Sequence, residues 1–125
     1  MIVVMGLVET EAYLAGVPAR LAVTGRQAVE VTARKVKDSA RQRISGHKYL
    51  PQYPRSITYE VKTTAAGVEA EIGPDKGAAQ GALGNIIEYG SANNAPLPHL
   101  GPALEENADD LARGVEIAVA HALGL

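Results

Sequence analysis

The chain has 125 residues and a formal net charge of −2, a length that predicts one domain with a modest core. It contains no cysteine, which excludes disulfides, cysteine-ligated zinc and a thiol nucleophile. Hydrophobic residues make up 46% of the chain but Phe and Trp are absent, so mainly aliphatic side chains must form the core. Because small side chains bury little area each, the stability of a single copy is expected to be low and to increase when partners bind.

Residues 1–23 are expected to form an N-terminal arm with a short, broken helix. The first eight residues are apolar but have no basic flank, which is typical of neither a signal peptide nor a membrane span. Apolar residues from Leu14 onward follow helical spacing, and Gly16 and Pro18 interrupt them.

The main helix is predicted over residues 25–45. Thr24 and Gln27 have the spacing of a capping box, and Gly46 stands where a helix-ending glycine is usual. The apolar positions of this segment recur at helical spacing. They are Val29, Ala33, Val36, Ala40 and Ile44.

A β-hairpin is predicted over residues 56–72. Alternation places Ile57, Tyr59 and Val61 on one face of a first strand, and residues 68–72 alternate again after a Gly-containing turn. Residues 47–55, which include two prolines, are expected to form a loop before this hairpin.

Residues 73–101 are predicted to be a loop-rich interaction segment, in which residues 76–84 are expected to be either mobile or shaped by contacts. The Gly/Ala-rich stretch 77–84 resembles a phosphate-binding loop only in its glycine spacing, and a flexible linker is the favoured interpretation because the Gly-Lys-Ser/Thr ending is missing. Residues 83–89 fit either a third strand or a short helical turn, and the local pattern does not distinguish the two.

A C-terminal helix is predicted over residues 102–123, with Pro102 in the first turn and acidic residues after it. Its apolar face is expected to contain six residues. They are Leu104, Ala108, Leu111, Val115, Ala118 and Ala122. The order helix, hairpin, possible strand and helix predicts a single α+β domain, with two helices packed on one face of a short antiparallel sheet.

Catalytic chemistry has little support in the sequence. The three histidines are widely separated and have no ligand-spaced partner, and no Gly-x-Ser-x-Gly nucleophile motif is present. We therefore predict no enzyme activity, no metal site and no cofactor.

The charges are divided along the chain. Residues 20–62 carry ten Lys/Arg against three acids, a net +7, whereas residues 63–125 carry nine acids against two bases, a net −7. Arg34, Lys37 and Arg41 have helical spacing and form a basic face. Three interpretations remain open: a solvated helix face, a nucleic-acid-binding surface, or contact with the acidic end of a neighbouring subunit.

Two motifs in the last third resemble those of the tail-completion and minor tail-component proteins of long-tailed bacteriophages. These are Glu88-Tyr89-Gly90 and the segment from Pro96 through Leu100 to Pro102-Ala103-Leu104-Glu105. Arg55-Ser56-Ile57 matches the strand entry of that family, and the order of elements matches over most of residues 24–123. The chain departs from the family in residues 49–54, which lack a Thr-Gly pair.

The resemblance implies a non-enzymatic virion protein, made in the host cytoplasm, that completes or terminates the tail tube and joins it to the head. Its expected partners are further copies in a six-fold ring, neighbouring neck and tail-tube proteins, and DNA that passes through the channel without sequence-specific binding; no membrane is expected. A small nucleic-acid-binding accessory protein that uses the basic face is the alternative. The residues predicted at the interface are Arg34, Lys37, Arg41, Lys48, Arg55, Glu88, Tyr89, Gly90, Pro96, Pro98, Leu100, Pro102, Glu105 and Asp109.

Overall fold

The structure, a computed structural model, describes residues 3–8, 17–64 and 67–125. Its regular elements are β1 (Val3–Val8), α1 (Val17–Arg43), α2 (Tyr53–Ser56), β2 (Ile57–Thr64), β3 (Gly67–Pro74), a 3-10 turn (Gly81–Leu83), α3 (Gly84–Tyr89) and α4 (Leu100–Ala122). Two long helices and an antiparallel sheet confirm the predicted α+β fold class.

The sheet has the strand order β1-β3-β2, and both pairings are antiparallel. Ala70 in the central strand faces Met5 on one side and Val61 on the other. The predicted hairpin is confirmed as β2 and β3, although residues 65–66 of its turn lie outside the described residues. The third strand is β1, from the chain's first residues, whereas residues 83–89 take the helical alternative as part of the 3-10 turn and α3.

Helix α1 begins at Val17, eight residues before its predicted start, and continues to Arg43. The prediction of a broken helix before residue 23 is therefore wrong for residues 17–23. Pro18 occupies the first turn, where no N–H is needed for an intrahelical bond, so it is compatible with the helix. Residues 9–16 of the predicted arm lie outside the described residues.

The core lies between α1, the sheet and the start of α4. All five predicted apolar residues of α1 are buried against Ile57, Val68, Ala70 and Ile72. Helix α4 contributes Leu100 and Ala103 to this core, and its Ala118 and Ala122 form a second cluster with Leu21 of α1. The predicted α4 stripe is partly confirmed, because Leu104 and Leu111 are partly buried but Ala108 is exposed.

The helices α1 and α4 run antiparallel, and polar contacts join them along their length. Arg20 donates to the carbonyl of Ala122 at 2.9 Å near one end. Gly114 lies against Ala28, where a Cβ on the glycine would be 3.1 Å from the alanine Cβ, so small residues permit a close crossing. Helix α1 contacts all three strands. Helix α4 packs on α1 and contacts β1, the edge strand opposite β2.

Strand β2 is an edge of the sheet, and α1 bonds two of its carbonyl groups. The Arg41 guanidinium donates to the carbonyl of Ile57 at 2.9 and 2.6 Å, and Arg26 donates to the carbonyl of Val61 at 3.4 Å. Arg26 also donates to the Thr63 hydroxyl at 3.0 Å. These bonds fix the angle at which α1 lies against β2.

Candidate interface and the network that shapes it

A buried carboxylate holds the start of α4. Glu88, in α3, accepts bonds at Oε1 from the backbone N–H groups of His99 and Leu100, at 3.0 and 2.8 Å, and at Oε2 from the N–H of Gly101 at 3.4 Å. The first N–H groups of a helix have no intrahelical partner, and the helix dipole favours a negative charge there. Glu88 therefore caps α4 from another element and ties α3 to it.

His99 and Tyr53 extend this network into the core. The His99 Nδ1 atom lies 2.9 Å from the carbonyl of Leu97 and 3.1 Å from Glu88 Oε1, both acceptors, so it carries the proton. Nε2 is then free to accept from the Tyr53 hydroxyl at 2.7 Å. The two rings meet edge to face, with centroids 5.2 Å apart. The result is a neutral histidine that is fully bonded in the interior.

The electrostatics of the network follow from burial. Burial lowers the pKa of His99, outweighing the Leu97 carbonyl and the Glu88 carboxylate, which both raise it. Burial also raises the pKa of Tyr53, and the nearby charge of Glu88 adds to that effect. Tyr53 and His99 are completely buried and Glu88 nearly so, so in this conformation the three side chains position the backbone and contact no solvent-borne substrate.

The pH dependence of unfolding should report this network. A lowered His99 pKa means that the unfolded state takes up a proton first, so the free energy of unfolding should fall as pH drops below about 6.5. The raised Tyr53 pKa should make it fall again above about pH 10, where the unfolded phenol ionises first. Urea titrations across this range measure both limbs. The Tyr53→Phe variant should lose the alkaline limb, and an unchanged alkaline limb in that variant would contradict the assignment.

The Gly/Ala-rich stretch is packed, so the flexible-linker prediction for residues 77–84 is wrong. Gly81 and Gly84 are buried against the end of β3. The side chain of Gln80 joins this stretch to the loop before β2: its Oε1 accepts from the N–H groups of Gln52 and Tyr53, and its Nε2 donates to the carbonyl of Tyr49. Gln80 is not among the predicted residues, because no local pattern marks it.

The exposed side of the helical run 81–89 is apolar. Leu83, Ile86 and Tyr89 follow one another at three-residue spacing and all are exposed, with Ile86 at 48% and Tyr89 at 66%. Tyr49, 80% exposed, and Leu97 lie beside Leu83 and Ile86 around a cavity of about 290 Å3. We call these five residues the α3 patch. Apolar surface gathered in this way is typical of an interaction site.

Residues 91–99, called here the Pro-rich loop because they contain Pro96 and Pro98, are held beside the α3 patch at both ends. Leu97 donates its N–H to the carbonyl of Ile87 at 2.7 Å, and Glu88 bonds the residues that follow. Gly90 has a φ of +78°, and a Cβ there would lie 2.8 Å from the carbonyl oxygen of Asn94, which explains the glycine of the Glu-Tyr-Gly motif.

The predicted interface residues outside the basic face differ in how far they are exposed. Glu88 and Leu100 are buried within the protomer, so the prediction of direct interface contact is wrong for them; they shape the loop from inside. The exposed members around the loop and on α4 are Lys48, Tyr89, Pro96, Pro98, Glu105 and Asp109. Arg55 is also exposed, and Gly90 and Pro102 are half-buried.

The basic face is largely engaged within the chain. Arg41 bonds the carbonyl of Ile57, and the Lys37 ammonium lies 5.6 Å from the ring centre of Tyr59 and 3.4 Å from Asp38. Arg34 is more exposed and lies 3.7 Å from Glu30. All three cations therefore contact β2, Arg34 and Lys37 at the Tyr59 side chain and Arg41 at the Ile57 carbonyl.

The charge division is also partly neutralised within the protomer. Lys35 pairs with Asp110 at 3.0 Å and Arg43 with Glu106 at 3.1 Å, which joins basic α1 to acidic α4. Bonds from Arg113 and Lys35 hold the pKa of Asp110 below its usual value. In the described part of the chain, Glu105, Asp109 and Glu116 have no ion-pair partner, so α4 keeps unpaired negative charge on its outer side.

Two other kinds of feature are absent from the residues that the structure describes. No group of three potential metal ligands occurs there, and no helix there is long and apolar enough to span a membrane. Comparison with protein-family models, curated proteins and solved structures yields no match.

Proposed function

We propose that this chain is a structural subunit of the neck of a long-tailed bacteriophage, which completes or terminates the tail tube and joins it to the head as a six-fold ring. The observation that carries the proposal is the organisation of residues 88–105, the segment with the family resemblance. In this segment Glu88 caps α4 and Gly90 makes the turn after α3. Tyr89 and Leu97 remain exposed in the α3 patch.

The α3 patch supports an assembly role because tyrosine and aliphatic side chains supply the binding energy of many protein interfaces. The network behind it supports the same role. Bonds from Glu88 and Gln80 hold both loops that border the patch, so the surface is organised before a partner arrives. The proposed partners are other copies of the chain and the adjoining neck and tail-tube proteins.

The nucleic-acid alternative has weaker support. A DNA-binding surface needs several cations free to face phosphates, whereas Arg41 bonds a β2 carbonyl and Lys37 packs on Tyr59. In the proposed ring, DNA passes through the channel and the chain makes no sequence-specific contact with it.

The test is genetic and structural. In a phage or prophage that encodes the chain, an in-frame deletion should give DNA-filled heads and free tails that do not join, counted by negative-stain electron microscopy. Wild-type protein supplied from a plasmid is the control and should restore infectious particles. Mass spectrometry of gradient-purified particles should detect the chain. Particles of normal yield without the chain would contradict the proposal.

A further inference from the structure

We infer that the α3 patch is a self-association site, which docks on the outer face of α4 in a second copy of this chain. The outer face of α4 is defined here by Glu105, Asp109, Glu116 and Val119, with Leu123 at the C-cap. This inference rests on the proposed ring and names the two surfaces that would form its repeating contact.

The chemistry around the α3 patch specifies its partner. The cavity at its centre is lined mostly by apolar residues and Tyr49, its polar lining residues are His47, Lys48 and Asn94, and no carboxylate is among the lining residues. The Lys48 ammonium lies 5.5 Å from the ring centre of Tyr49, and Lys48 has no ion-pair partner in the part of the chain described. A complementary surface should therefore be apolar and acidic.

The outer face of α4 has this composition. Glu105, Asp109 and Glu116 recur at helical spacing and, among the described residues, none of them is paired with a cation. Val119 and Leu123 continue this stripe toward the end of the helix, and these large aliphatic residues are 38% and 44% exposed. The two surfaces are thus complementary in charge and alike in apolar character.

One protomer cannot bring the α3 patch against the far end of this face. The α3 patch lies around the loop that leads into α4, whereas Val119 lies 19 residues after Leu100, which at 1.5 Å per residue is about 28 Å along the helix. Contact must therefore occur between copies. Because two different surfaces meet, each copy leaves one of each free, and repetition produces a closed ring or a filament.

Charge reversal provides the test. Sedimentation velocity over a concentration series measures self-association of the wild type, of Lys48→Glu, and of a variant carrying Asp109→Lys and Glu116→Lys. Each variant alone should bind itself at least roughly tenfold more weakly, because like charges face each other. An equimolar mixture of the two variants should recover wild-type association, since every contact in an alternating assembly again joins opposite charges.

Two further variants separate the contact from general charge effects. Lys76→Glu makes the same charge change as Lys48→Glu at an exposed residue that follows β3 and does not line the cavity, and it should leave association unchanged. Ile86→Asp alters the apolar centre of the patch at a half-exposed position, and it should weaken association roughly 100-fold while circular dichroism shows a folded chain.

The outcomes distinguish this inference from the proposed function. A wild-type chain that stays monomeric across the series, or a mixture that fails to recover association, overturns the inference even if the chain is present in particles. Association that follows the predicted pattern supports the contact, whether or not particles contain the chain. Particles that lack the chain would contradict only the proposed function in the neck.

Discussion

Replacing Gly81 with alanine is expected to lower the free energy of unfolding by about 3 kcal/mol, at the upper end of the usual cost of overpacking. An added Cβ would lie 1.8 Å from the carbonyl oxygen of Asp75 and 3.3 Å from the Cβ of Ser56. The neighbouring atom is backbone, held by the bond from the Asp75 N–H to the Ser56 carbonyl at 2.7 Å, so it cannot move aside as a side chain would. Urea denaturation compared with the wild type measures the loss.

Two other substitutions in the same stretch show whether the effect is specific to Gly81. Ala79→Ser changes a neighbouring exposed residue by one oxygen atom and should leave the urea midpoint unchanged. Gly84→Ala, whose Cβ would lie 2.5 Å from the Pro74 ring, should also destabilise the chain, but by less, because a proline ring edge can shift. Wild-type stability in Gly81→Ala would mean that the stretch behaves as the flexible linker its composition suggests.

Glu88→Ala is the second substitution with a large expected effect, a loss of about 3 kcal/mol of unfolding free energy. It removes the acceptor for the N–H groups of His99 and Leu100, which remain buried without another helix bond, and it removes one acceptor beside His99 Nδ1. The loss should be measured by urea denaturation near neutral pH. The chemical shifts of residues 97–101 should change with it.

One further variant of Glu88 tests the contribution of its charge, and one variant of Glu105 is the control. Glu88→Gln keeps an oxygen acceptor without the charge and should cost roughly half as much as Glu88→Ala. Glu105→Gln removes an exposed carboxylate from the first two turns of the same helix and should leave stability nearly unchanged. Equal effects of Glu88→Ala and Glu105→Gln would show that Glu88 is not the cap of α4.

Local periodicity was sufficient to predict the two long helices and the hairpin, because each buries one regular face. The start of α1 was missed because Pro18 is a helix breaker in the interior but acceptable in a first turn, and the sequence does not mark which applies. Strand β1 was missed because its partner β3 lies about 60 to 70 residues away. The alternation of residues 68–72 predicts a strand, but no local pattern shows that the first residues of the chain pair with it.

The site was predicted in part. The Glu-Tyr-Gly motif and the Pro-rich loop were identified, but the roles of their residues within the protomer depend on tertiary packing. In the structure the charged Glu88 is inside and the aromatic Tyr89 is outside, the reverse of what hydropathy alone suggests. The basic face was predicted from spacing, yet spacing could not show that the Arg41 guanidinium bonds a carbonyl of β2. The same limit applies to Gln80, whose side chain bonds residues about 30 positions away.

The arginine bonds to β2 have a consequence for aggregation. An edge strand with open carbonyl groups is a template on which another chain can add a strand, and this is a common route to aggregation. In this protein the carbonyls of Ile57 and Val61 are already occupied by Arg41 and Arg26. Uncontrolled strand addition is thereby disfavoured on this side, and association is left to surfaces built from side chains, which can be selective for one partner.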